Sequence, residues 1–63
     1  MIARCYILAD NKSEPPMYRA FAEWTRDRSR AFPFSLRVSA SEHRIELAAK
    51  GDEHAKRAEV VEW

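Results

Sequence analysis

The sequence predicts an α+β fold, β-α-β-β-β in chain order: one four-stranded sheet with a single helix packed on one face. Three observations predict it. A short apolar run near the start is closed by turn residues; bulky apolar residues recur at helical spacing over residues 15–30; and the hydrophobic period switches to two from Phe34 onward. The alternative order β-α-β-β-α stays open, because the last dozen residues fit either a strand or a helix.

Ile2 to Ala9 is apolar and bounded by Asp10-Asn11-Lys12-Ser13, which favours a strand. Alternation sends Ala3, Cys5, Ile7 and Ala9 to one side and Ile2, Arg4, Tyr6 and Leu8 to the other. Ser13 suits a helix N-cap, Glu14 suits the positive end of the dipole, and Pro15 and Pro16 are tolerated in a first turn. Met17, Ala20, Phe21 and Trp24 then build an apolar stripe, with Arg19, Glu23, Arg26, Asp27 and Arg30 opposite. Pro33 stops the helix.

Phe34, Leu36, Val38 and Ala40 alternate with polar residues, as do Ile45, Leu47 and Ala49 with Arg44, Glu46 and Ala48. A reversal near Ser41-Glu42 sets Val38 against Ile45, Leu36 against Leu47 and Phe34 against Ala49, a hairpin in a well-specified register. A further turn at Gly51-Asp52 would add a fourth strand, with Arg57 opposite Glu46 and Glu59 opposite Arg44. Against it, residues 52–62 are rich in Ala, Lys, Arg and Glu, which are good helix formers.

The chain has 63 residues, so a single domain spanning 1–63 is expected. Eleven Lys+Arg stand against ten Asp+Glu, a net charge of +1, without the basic excess of a general nucleic-acid or membrane binder. No run approaches the roughly 18 apolar residues of a membrane span, and no signal peptide is recognisable. One cysteine makes no internal disulfide, so a cytoplasmic protein is expected. A core this small supplies only about 3–5 kcal/mol without staples, so an apolar residue left in water is costly and points to a partner.

Catalysis and cofactors find little support. Cys5, His43 and His54 are scattered, with no metal-ligand spacing, so no metal is expected. Gly51 is the only glycine, which excludes a glycine-rich phosphate loop. Ser39, Ser41 and His43 lie close in sequence, but a hairpin end offers neither pocket nor oxyanion donors. The expectation is no enzyme and no cofactor.

The surface is more informative. The bulky helix stripe packs best on the small side of the first strand, which would leave Arg4, Tyr6 and Leu8 on an uncovered sheet face with Trp63 beside them. Tyr, Trp, Leu and Arg together make a patch of the kind partners grip. Arg37, Arg44 and Arg57 extend it, and Arg26, Arg28 and Arg30 form a second basic patch. The expected function is a non-catalytic protein-binding module, an inhibitor that blocks a site on a larger complex. It is similar in size class alone to small phage and mobile-element inhibitors, anti-CRISPR proteins among them. The alternative is a small RNA or single-strand DNA binder stacking bases on the open sheet face. Self-association into a homodimer is a third possibility.

Overall fold

The computed structural model describes residues 4–63 and shows a small α+β domain with a four-stranded antiparallel sheet and one main helix. The strands are β1 (Tyr6–Asp10), β2 (Met17–Arg19), β3 (Trp24–Thr25) and β4 (Glu59–Glu62). The helices are α1 (Arg37–Ala49) and the single-turn α2 (Glu53–Arg57), with a short 3-10 helix at Arg28–Arg30. The strand order is β3-β2-β1-β4, so the first strand lies centrally and the last strand pairs beside it. Ile2 and Ala3, assigned above to the first strand, lie outside the described residues.

The order of elements corrects the sequence reading in three places. Residues 15–30 hold no α-helix: they form β2, β3 and the 3-10 helix. Strand pairing overrides the helical spacing of that segment: Met17, Arg19 and Trp24 share one sheet face through the Asp10–Met17 and Arg19–Trp24 pairs, while Ala20 and Phe21 fall in the turn between the strands. Their connection is a tight turn closed by Ala20 N–H donating to Glu23 O at 2.7 Å.

Residues 34–49 are not a hairpin, since thirteen of them form α1. Arg, Ala, Glu and Leu dominate this stretch, and their helix propensity outweighs the alternation. Ala40, His43, Arg44 and Leu47, spaced by three and four, turn inward, while Val38 and Ile45 of the supposed apolar side stand in solvent.

The last segment divides between its two readings. Asp52 caps α2, its Oδ1 accepting from Ala55 N–H at 3.1 Å, and β4 follows within two residues. Consequently Arg57 does not face Glu46 and Glu59 does not face Arg44. The turn between α1 and α2 is made by Gly51, whose φ of 93° only glycine adopts freely. Gly51 N–H bonds Ala48 O at 3.0 Å and Asp52 N–H bonds Leu47 O at 3.1 Å, the paired bonds of a Schellman cap.

The sheet is covered on both sides. Pairing places Tyr6, Leu8 and Asp10 on the face that receives the helices, because Tyr6 meets Arg37 of α1 and Asp10 meets α2. Ala40 and Ala55 are fully buried, and their small side chains let both helices sit close to the strands. Ile7 and Ala9 point to the opposite face, beside Tyr18 and Val61. There Arg28 of the 3-10 helix lies over the Tyr18 and Trp63 rings. Ile7, Leu8, Ala9 and Asp10 are all at 0% exposure.

This reverses the expected choice of face. The helices cover the Tyr6 side, not the Cys5 side, and Leu8 is sealed instead of exposed.

Segment 32–34 fills the remaining gap. Phe34 exchanges backbone bonds of 2.8 Å with Tyr6, and Phe32 N–H donates to Arg19 O at 2.8 Å. Three phenylalanines thereby gather near the start of α1.

Candidate functional site

The most buried polar group is Asp10, at the end of β1. Its Oδ2 accepts from His54 Nδ1 at 2.8 Å and from Arg57 Nε and Nη2 at 3.2 and 3.1 Å; Oδ1 accepts from Lys12 N–H at 3.2 Å. Burial opposes charge on this carboxyl. Hydrogen bonds from His54 and Arg57, the Arg57 charge and the Lys12 amide outweigh it and hold the carboxyl below its ordinary value. An ionised carboxylate only accepts, so His54 Nδ1 carries a proton and donates it to this bond.

Asp52 is the second anchor. Trp24 Nε1–H donates to its Oδ2 at 2.8 Å, tying the edge strand β3 to the start of α2. Burial again opposes its charge, and the Trp24 bond, the Ala55 and His54 amides and the Arg19 charge together depress its carboxyl. The Trp24 ring also packs 5.2 Å from His54 and 5.9 Å from the Arg19 guanidinium. Every member of this cluster joins α2 to the sheet. Its arrangement is that of a latch.

The residues singled out from sequence are dispersed, and several are spent within the fold. Arg37 stacks on Tyr6 at 4.9 Å and reaches Val60 O at 3.5 Å. Arg44 Nη1 donates to Ala55 O at 3.2 Å, linking the two helices. Arg57 belongs to the Asp10 latch. Exposed Arg4 pairs with Glu62 at 3.4 Å. Arg28 lies 5.4 Å from the half-exposed Trp63 ring and donates to Glu62 O at 2.9 Å. Arg26 and Arg30 are exposed. The structure thus brings Tyr6 to Arg37 and Arg28 to Trp63, but forms no single patch from the ten. Among the described residues, the sheet face that both a protein partner and stacked bases were expected to use is covered by the helices.

A different surface remains open. Ala20, Phe21, Phe32, Phe34 and His43 line an apolar cleft of about 190 Å³ between the β2–β3 turn and α1. The rings form a ladder: Phe21 to Phe32 at 6.1 Å, Phe32 to Phe34 at 4.9 Å and Phe34 to His43 at 5.5 Å. Phe21, expected in the core from its helical spacing, is 82% exposed at the mouth. The cleft was hidden in the sequence because its walls come from three segments. A turn through Phe21-Ala22 also carries none of the Gly, Asn or Asp that announces a hairpin. Among the described residues, no three metal-ligating side chains converge and no helix is long and apolar enough to cross a membrane.

No protein-family model, no curated protein and no solved structure matches this chain.

Proposed function

We propose that this protein is a non-catalytic binding module that docks a larger protein through the cleft between the β2–β3 turn and α1, and so blocks a site on it. One observation carries this reading: a phenylalanine 82% exposed at the mouth of a cleft walled by two more. In a chain of 63 residues, whose largest fully buried side chains among the described residues are Ile7, Leu8 and Asp10, leaving Phe21 in water forgoes stabilisation that the core needs. Exposed aromatic anchors beside a pocket are what protein interfaces concentrate.

The test is affinity capture from cell lysate with the wild-type chain and its Phe21→Ser variant, read by mass spectrometry. A stoichiometric protein held by the wild type and lost with the variant supports the reading. Equal retention, or no protein partner at all, removes it.

A further inference from the structure

We infer a second surface with a different partner: single-stranded nucleic acid, held at the corner where the end of β4 meets the 3-10 helix. Arg28 builds this corner. Its guanidinium lies 5.4 Å from the Trp63 ring and 5.8 Å from the Tyr18 ring, and its Nη2 donates to Glu62 O at 2.9 Å. Trp63 nonetheless keeps 53% of its surface in water. A half-exposed indole beside a guanidinium plane offers an unpaired base a place to stack.

The charge around it is one-sided. Arg26 to Arg30 are all exposed, and among the described residues neither Arg26 nor Arg30 is in an ion pair. Asp27, the one carboxylate of that segment, accepts at Oδ1 from the Ser29 amide and hydroxyl at 3.0 and 2.6 Å. Glu62 is matched by Arg4 at 3.4 Å. Four arginines thus stand against two carboxylates here, whereas the whole chain carries only +1. Glu59 shares the Trp63 side of β4 by alternation, but four residues back, roughly 13 Å along the strand. Arg28 is engaged with the rings and the strand edge, which leaves Arg26 and Arg30 for two phosphates beside the stacked base. Arginine suits that task because its planar fork meets phosphate oxygens in pairs. An acidic protein segment would match the charge but bring no base to the ring, and a duplex keeps its bases stacked on one another. This corner shares no residue with the phenylalanine cleft, so either surface stands without the other.

The experiment is fluorescence anisotropy of a labelled octauridylate with the whole chain at 50 and 200 mM salt. Two neutralised phosphates on a single strand give a log–log slope of about −1.4, so the added salt should weaken binding about sevenfold. Arg26→Ala/Arg30→Ala should remove that dependence while keeping the wild-type melting temperature, since both side chains are exposed. Trp63→Ala should weaken binding roughly fivefold or more, and Trp63→Phe should retain most of it. No binding at 50 mM salt, an affinity indifferent to salt, or full affinity in Trp63→Ala overturns the site. Displacement of the octauridylate by an equal concentration of hexaglutamate overturns it too, because charge alone would then account for the binding.

Discussion

Arg28 donates from Nη2 to the backbone oxygen of Glu62 at 2.9 Å, placing a guanidinium from outside the sheet on the free edge of β4. Trp63 N–H bonds Cys5 O, so alternation turns the backbone groups of Val60 and Glu62 away from β1, toward solvent. Arg28 takes the outward carbonyl of Glu62, and Arg37 approaches that of Val60 from the helix side. Two arginines from opposite faces thus blunt an edge that would otherwise template pairing with another chain. The double variant Arg28→Ala/Arg37→Ala should show a higher average mass than the wild type at equal concentration. Light scattering after size exclusion checks this, and an unchanged mass would remove the protective role.

Acid sensitivity follows from the Asp10 latch. A carboxyl whose folded-state value is depressed binds fewer protons than in the unfolded chain, so its contribution is complete above about pH 5. It is lost as pH falls through 3.8 toward the lower folded value. Asp52 acts with the same sign. Asp10→Asn should cost roughly 2 kcal/mol at neutral pH; this is less than for a wholly buried pair, because His54 and Arg57 keep 33% and 41% exposure and stay partly hydrated. Urea titrations from pH 3 to 7 should show a shallower acid slope in the variant. An identical slope would mean that Asp10 is not the titrating group.

Gly51 gives a cleaner backbone test. A Cβ there meets nothing within 4 Å, so the cost of Gly51→Ala is conformational alone, about 1 kcal/mol. For a domain of this size that lowers Tm by roughly 4–8 °C, and Gly51→Asn should recover part of the loss. Calorimetry on the three chains measures both steps.

The two ends of the aromatic ladder should separate binding from stability. Phe21→Ser should leave stability within about 0.5 kcal/mol, as expected for a side chain in water. Phe34→Ala removes a half-buried ring between Phe32 and His43 and should cost roughly 2 kcal/mol. Thermal melts of both variants, beside their capture of partner, place binding at one end of the ladder and packing at the other.

The α+β class, a four-stranded sheet with one main helix, agrees with the expectation, but of the elements that predicted it only β1 and, in part, β4 stand where the periodicity put them. The run Ile-Leu-Ala before Asp10-Asn11 marked β1 because apolar continuity and turn residues agree there. At Met17–Trp24 the apolar residues recur at helical spacing, yet the chain turns after Arg19, and β-pairing with Asp10 and with Trp24 overrides the local period. At Val38 and Ile45 alternation pointed inward, yet seven residues is two helical turns, so the pair lies on one outer stripe of α1. The Asp10–His54 and Trp24–Asp52 bonds join residues 44 and 28 positions apart, which no short-range pattern announces. The cleft is hidden for the same reason.

The central position of β1 has a consequence during synthesis. Its Ile7, Leu8 and Ala9 leave the ribosome before one neighbouring strand, Glu59–Glu62, is made. Until then that segment has no permanent shelter. Nascent chains stalled before residue 59 should therefore stay sticky and protease-sensitive, and completion of the sheet waits on the arrival of its final ribbon.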